Sequence, residues 1–116
     1  MSKISVVIPC YFNEENIPDT AKRLIENEAL FTSDTTFEYV LVDDGSKDQT
    51  LSKLLEFKKA YPDKVKVVKL TGNFGSYNAI YAGLAHATGD CLVVISADLQ
   101  DPPELIVKMH DYWSKG

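Results

Sequence analysis

The chain has 116 residues, 45% of them hydrophobic and 25% charged, with a formal net charge of -5. Those totals suit one compact domain with a core of its own. They give no support to nucleic-acid binding by bulk electrostatics, and no apolar run reaches the length of a membrane span or has the flanks of a signal peptide.

Ile4-Ser5-Val6-Val7-Ile8-Pro9 is a short β-branched run, read as a buried strand that stops at proline. Cys10 to Glu15 form a loop, and Ile17, Ala21, Leu24, Ile25 and Leu30 then recur at helical spacing. Phe37 to Val42 is a second strand running into Asp43-Asp44-Gly45-Ser46, where Ser46 and Gln49 are placed as a capping box for the next helix. That helix carries Leu51, Leu54 and Leu55 and ends before Pro62. Val65 to Leu70 is a third strand. Thr71-Gly72-Asn73-Phe74-Gly75 is a glycine-punctuated loop, and the helix after it is rich in Ala and Gly and ends at Gly89-Asp90. Cys91 to Ser96 is a fourth strand. Asp101-Pro102-Pro103-Glu104 has the form of a helix start, with Leu105, Ile106 and Met109 on the helix that follows. The chain stops soon after that helix at Gly116, which reads as part of a longer protein.

Strands alternate with helices and no hairpin signal interrupts them, the pattern of an α/β, mostly parallel sheet with right-handed crossovers. The expected strand order is 3-2-1-4, a Rossmann-like arrangement whose switch point lies between the first and fourth strands. Cys10 and Cys91 then fall at opposite ends of neighbouring strands, roughly 15 Å apart for five residues. A disulfide needs Cα atoms within about 7 Å. Two reduced thiols and a cytoplasmic location are the expectation.

Ligands of open α/β sheets sit beyond the carboxyl ends of the strands. That rim carries Pro9-Cys10-Tyr11, Asp43-Asp44 and Ser96-Ala97-Asp98, with Glu14, Glu15 and Asp101 near. The opposite rim carries mainly Lys3, Lys64 and Gly89-Asp90, with no comparable cluster expected. Carboxylates crowded on one edge repel unless a cation joins them. A divalent Mg or Mn ion, which takes oxygen ligands and keeps waters and phosphate oxygens in its shell, meets that need. Tyr11 offers a face for a base or sugar, and Asn73-Phe74-Gly75 offers N–H groups to phosphate ahead of a helix. No G-x-G-x-x-G follows the first strand and there is no Walker lysine motif, which argues against nicotinamide cofactors and P-loop chemistry.

Four segments in order carry a resemblance: Ser5 to Tyr11 with Asn13 to Ile17, Val42 to Thr50, Asn73-Phe74-Gly75, and Ala97-Asp98-Leu99-Gln100-Asp101-Pro102-Pro103-Glu104. Together they resemble the family-2 glycosyltransferases. The last segment is similar to the subgroup that loads sugars onto polyprenyl phosphates, such as dolichyl-phosphate mannose synthases and bactoprenol glucosyltransferases. The resemblance implies a GT-A fold in which residues 1–116 form a nucleotide-sugar-binding domain. It implies a nucleotide site at Pro9, Tyr11, Asn13, Glu14, Asp43, Asp44, Asn73, Gly75, Ala97, Asp98 and Gln100, with Asp98 and Gln100 also holding the metal. A UDP-sugar is the favoured donor and a GDP-sugar the alternative. The acceptor it implies is a lipid phosphate, reached by sugar transfer with inversion. Any membrane association, at the cytoplasmic face, would come through segments outside this chain.

The sequence departs from the resemblance at three places. Phe12 stands where many relatives have asparagine. Ser96 stands where relatives often have an acid, and Gly72 where they often have arginine. The general base is not assigned to any residue here. Two rival readings are a non-catalytic nucleotide-binding or scaffold module, and a receiver-like signalling domain. The latter places its paired acids after the first strand, whereas here the pair follows the second.

Overall fold

The structure is a computed structural model and describes residues 2–31, 34–72, 75–95 and 97. Among these residues four strands, β1 (Ser2–Cys10), β2 (Thr35–Asp43), β3 (Val65–Lys69) and β4 (Cys91–Val94), alternate with three α-helices, α1 (Ile17–Asn27), α2 (Thr50–Ala60) and α3 (Ser76–His86). The sheet is parallel throughout in the order β3-β2-β1-β4, as the alternation predicts.

Each strand in the middle of the sheet is apolar on both faces because both faces are covered. Ile4, Val6 and Ile8 of β1 with Tyr39 and Leu41 of β2 pack on Ile17 and Leu24 of α1 and Leu54 and Phe57 of α2. The alternate residues Val7, Val40 and Val42 pack on Ala79 of α3. The split follows from handedness: the β1–β2 and β2–β3 crossovers move one way across the sheet, and the β3–β4 crossover moves back. Gly83 lets α3 lie close, since a Cβ there would run into Val7 Cγ1.

The helix ends differ from the sequence expectation in two places. Leu30 leaves the helical face, lies in a 3-10 turn at Glu28–Leu30 and is 57% exposed. The Ser46/Gln49 capping box does not form. Gln49 occupies the cap position of α2 with no side-chain bond, and Asp48 instead accepts from Thr50 N–H at 3.0 Å and from the Thr50 hydroxyl at 2.6 Å. Ser46 is drawn away because its hydroxyl oxygen accepts from Phe12 N–H at 3.0 Å. The ladder of β4 ends at Val94, short of the expected Ser96, and Ile95 adds one further bond to Val7 O at 3.1 Å. Ser96 and the expected last helix, with its Asp101–Glu104 start, lie outside the described residues. Cys10 and Cys91 are both free and buried, as expected.

Candidate functional site

The candidate site is the carboxyl rim around β1, the switch-point strand. Two loops meet there, residues 11–16 after β1 and 44–49 after β2, and backbone donors stitch them together. Asp44 N–H donates to Cys10 O at 2.9 Å, Phe12 N–H to Ser46 Oγ at 3.0 Å, and Asn13 N–H to Thr50 Oγ1 at 2.8 Å. Glu14 N–H adds a bond to the Asp48 carboxylate. Slight burial works against the charge on Asp48, but the bonds from Thr50, Glu14 and its own N–H outweigh it and hold the carboxyl below its ordinary value.

Within the first loop, Tyr11 N–H donates to Asn13 Oδ1 at 2.7 Å, so the Asn13 side-chain oxygen shapes the loop. Phe12 sits at φ 53, the positive-φ position among the described non-glycine residues. Tyr11 and Phe12 are both substantially exposed, and their rings meet edge-to-face at 4.5 Å between centroids. Together they leave an apolar aromatic surface at the rim. The left-handed backbone is one that Asn tolerates far better than Phe.

The paired acids lie beneath the rim. Asp43 is 1% exposed and Asp44 is buried beside it. Asp43 Oδ1 accepts from Ser46 N–H at 3.1 Å, which sets the turn through Gly45 at φ 77. Asp43 Oδ2 is buried with no hydrogen-bond partner among the described residues. Burial pushes the Cys10 thiol far above its ordinary range, and the neighbouring Asp43 charge pushes it further, so Cys10 is a neutral packing group that donates weakly to Ile8 O at 3.4 Å.

Pro9, half-buried, pairs with Val42 on the β2 side. Gly75 caps α3 at φ 91, a backbone conformation that favours glycine, with open space where a Cβ would stand. Ala97 is buried and accepts at its carbonyl from the Thr20 hydroxyl at 2.6 Å, which ties the chain beyond β4 to α1. The structure therefore brings Pro9, Tyr11, Asn13, Glu14, Asp43 and Asp44 into one neighbourhood and fixes Ala97 against α1. Asn73, Asp98 and Gln100 lie outside the described residues.

The opposite rim holds a feature the sequence reading missed. Glu38 is buried in β2 and gathers Lys3, Lys66, Thr88 and Ser5 around its carboxylate. Burial alone would raise this carboxyl. Hydrogen bonds from Thr88, then from Lys3 and Lys66, outweigh it and hold the group down at about 2. The signal was in the sequence: an acid inside the apolar run Phe37-Glu38-Tyr39-Val40, in a sheet covered on both faces, demands partners. His86 is exposed on α3, where its ring Nδ1 lies 2.8 Å from Ala82 O of the same helix and its backbone carbonyl accepts from Lys66 Nζ at 3.0 Å.

Among the described residues no helix is long and apolar enough to cross a membrane. Residues 5–116 match the family described as Glycosyl transferase family 2. The undecaprenyl-phosphate 4-deoxy-4-formamido-L-arabinose transferase of Enterobacter sp. (strain 638) is 41% identical over 107 residues, 92% of this chain and 32% of that protein. The chain spans about a third of the length of the curated relatives it matches. Among solved structures, the mannosyltransferase PcManGT from Pyrobaculum calidifontis, in complex with GDP-Man and Mn2+, has a TM-score of 0.72 at 28% identity, over 84% of this chain and 28% of that one. TarS from S. aureus in complex with UDP has a TM-score of 0.68 at 25% identity, over 97% of this chain and 32% of that one. The parallel order β3-β2-β1-β4 and the rim built on it are thus the Rossmann-like part of a GT-A fold, and the chain belongs to glycosyl transferase family 2.

Proposed function

We propose that this chain is the donor-binding part of a glycosyltransferase, which moves a sugar from a nucleotide diphosphate-sugar to an acceptor with inversion at the anomeric carbon. The observation that carries the reading is the pair of loops after β1 and β2, joined by hydrogen bonds at the carboxyl rim beside the switch point of a parallel sheet. Open α/β sheets bind their ligands beyond the carboxyl ends of the strands, beside the switch point. The nucleoside is assigned to Pro9, Tyr11, Asn13, Glu14, Asp43 and Asp44. Tyr11 supplies an aromatic face, and the buried acids supply acceptors for base or ribose donors. The diphosphate is assigned to Asn73, Gly75, Ala97, Asp98 and Gln100. A UDP-sugar is the favoured donor, with a GDP-sugar as the alternative; TarS was solved with UDP and PcManGT with GDP-Man.

A divalent Mg or Mn ion is part of the reading. Among the described residues no three His, Cys, Asp or Glu side chains are grouped to hold one, and Asp43 is committed to Ser46. Those residues alone do not fit a metal, so the ligand role is assigned to Asp98 and Gln100. Few protein ligands suffice for an ion that keeps waters and diphosphate oxygens in its shell. Such an ion neutralises charge on the departing diphosphate. What the described residues do is orient the nucleoside and keep the loops in one geometry, which lowers the entropic cost of reaching a reactive pose.

The name of the Enterobacter relative supports a polyprenyl phosphate as the acceptor. A phosphate acceptor is already anionic and needs little help from a base. Two free buried thiols and a nucleotide-sugar donor support a cytoplasmic location. Calorimetry with UDP, GDP and UDP-sugars, with and without Mn2+, tests the donor reading. Binding that strengthens with metal is expected, and Asp98→Asn should remove the metal-dependent part. A folded chain that binds no nucleotide at millimolar concentration would sink the reading.

A further inference from the structure

We propose that Glu38 sets the register of β4 against β1, and so decides which residues leave the sheet at the carboxyl rim. The apolar pattern of β4 does not do this. Cys91, Val93 and Ile95 are buried, yet the alternate residues Leu92 and Val94 are equally apolar and are 49% and 40% exposed. A slip of one residue would exchange one apolar set for the other. Burial of one face normally fixes register, but with both alternate sets apolar that preference discriminates little between the two registers. The pairing is also short, four residues from Ile4↔Cys91 to Val7↔Val94, and β1 is the neighbour of β4 in the described sheet.

The chain just before β4 is held by specific groups. Glu38 Oε1 accepts from Thr88 N–H at 3.0 Å and from the Ser5 hydroxyl at 3.1 Å. Glu38 Oε2 accepts from the Thr88 hydroxyl at 2.8 Å and pairs with Lys3 Nζ at 3.1 Å and Lys66 Nζ at 3.2 Å. The oxygen of Ser5 in turn accepts from Gly89 N–H at 2.8 Å. Lys3 and Asp90 exchange a pair of bonds, Asp90 N–H to Lys3 O at 2.7 Å and Lys3 N–H to Asp90 Oδ2 at 3.0 Å.

The slot at Gly89 makes this arrangement selective. A Cβ there would stand 2.5 Å from Ser5 Oγ and 2.8 Å from Lys3 O, so only glycine fits. In a register slipped by one residue, Thr88 or Asp90 would have to occupy that slot. The same slip would strip the buried Glu38 of its Thr88 donors and leave its charge poorly compensated. The bonds at the far end of β4 lack this selectivity. Ile95 N–H to Val7 O and Thr20 Oγ1 to Ala97 O use backbone groups that any residue supplies. Glu38 is therefore a positioning residue. One step of slip moves everything beyond β4 by about 3.3 Å and reverses its facing. That exceeds the whole metal–oxygen distance of about 2.1 Å, a consequence for donor binding that rests on the function proposed above.

Isotope-labelled NMR of the full chain tests the assignment with Glu38→Gln, Glu38→Leu and Gly89→Ala. Glu38→Gln keeps an acceptor for Thr88 and Ser5 and should retain the Ile4–Cys91 and Val7–Val94 inter-strand NOEs at a lower melting temperature. Glu38→Leu and Gly89→Ala should lose those NOEs and speed exchange of the Ile95 amide at least tenfold, while β1–β2 amides stay protected. If Glu38→Leu does not fold, Gly89→Ala decides, because it leaves the carboxylate and its lysines in place. In Glu38→Leu or Gly89→Ala, a lower melting temperature with native NOEs and unchanged relative protection of Ile95 would overturn the proposal. Calorimetry with UDP or GDP and Mn2+ on the same variants separates the two readings. A changed register with unchanged nucleotide binding overturns the donor-site assignment and upholds the register role.

Discussion

The hydroxyl of Thr20 on α1 donates to the carbonyl of Ala97 at 2.6 Å, and both residues are buried. The bond links the first helix to the chain leaving the last described strand. It places the residue next to Asp98 in sequence against a rigid element on the sheet face shared by α1 and α2.

Thr20→Val keeps the shape of the side chain and removes the donor. The Ala97 carbonyl is then left buried and unpaired, at a cost of about 1–3 kcal/mol. A urea titration should show the midpoint falling with the m-value unchanged. Metal-dependent nucleotide binding should weaken as well. An unchanged midpoint would mean that water or another donor replaces the hydroxyl.

Phe12 holds φ 53 while 48% exposed, so little packing offsets its backbone strain. Phe12→Asn should stabilise the chain by about 0.5–1 kcal/mol through easier occupancy of the left-handed region. The edge-to-face contact with Tyr11 is lost at the same time, so nucleoside affinity should fall even as the melting temperature rises. Thermal unfolding and nucleoside titration together check this opposition of signs.

Gly83 sits inside α3, where alanine would ordinarily add about 1 kcal/mol of helix propensity. Here a Cβ runs into Val7 Cγ1 and comes within 3.1 Å of Val42 Cγ2. Overpacking of this kind costs about 1–3 kcal/mol. Gly83→Ala should therefore lower the urea midpoint despite its better propensity. A rise would show that α3 can move off the sheet freely.

Glu38 makes stability acid-sensitive. Its folded value, about 2 against an ordinary 4.5, lies below the unfolded one. The stabilisation is full above the unfolded value and is lost as pH falls from about 4.5 toward 2. Its size is on the order of 3 kcal/mol. Wild type should lose more stability than Glu38→Gln between pH 6 and pH 3 in paired urea titrations. Parallel losses in the two proteins would remove Glu38 as the source.

Much of the fold is legible in the sequence because its signals are local. The β-branched runs at Ile4–Pro9, Phe37–Val42 and Val65–Leu70 lie within the observed strands or one residue beyond them. Alternation of strands and helices, with the handedness rule, leads to the order β3-β2-β1-β4. The rim that gathers Pro9, Tyr11, Asn13, Glu14, Asp43 and Asp44 follows from that order, since every one of them stands within a few residues of a strand's carboxyl end.

Only the tertiary structure decided how the polar groups are used. Ser46 has the spacing of a helix cap, but Phe12 from another loop claims its hydroxyl, and Asp48 takes over beside Thr50. Asp43 and Asp44 sit below the rim, and Asn13 turns its amide inward to Tyr11. Glu38 finds Lys3, Lys66 and Thr88 from three separate stretches of chain. Hydrophobic periodicity says which face of a strand or helix is buried. It cannot say which distant donor reaches a given acceptor, because that pairing exists only once the segments have met and water has been excluded between them.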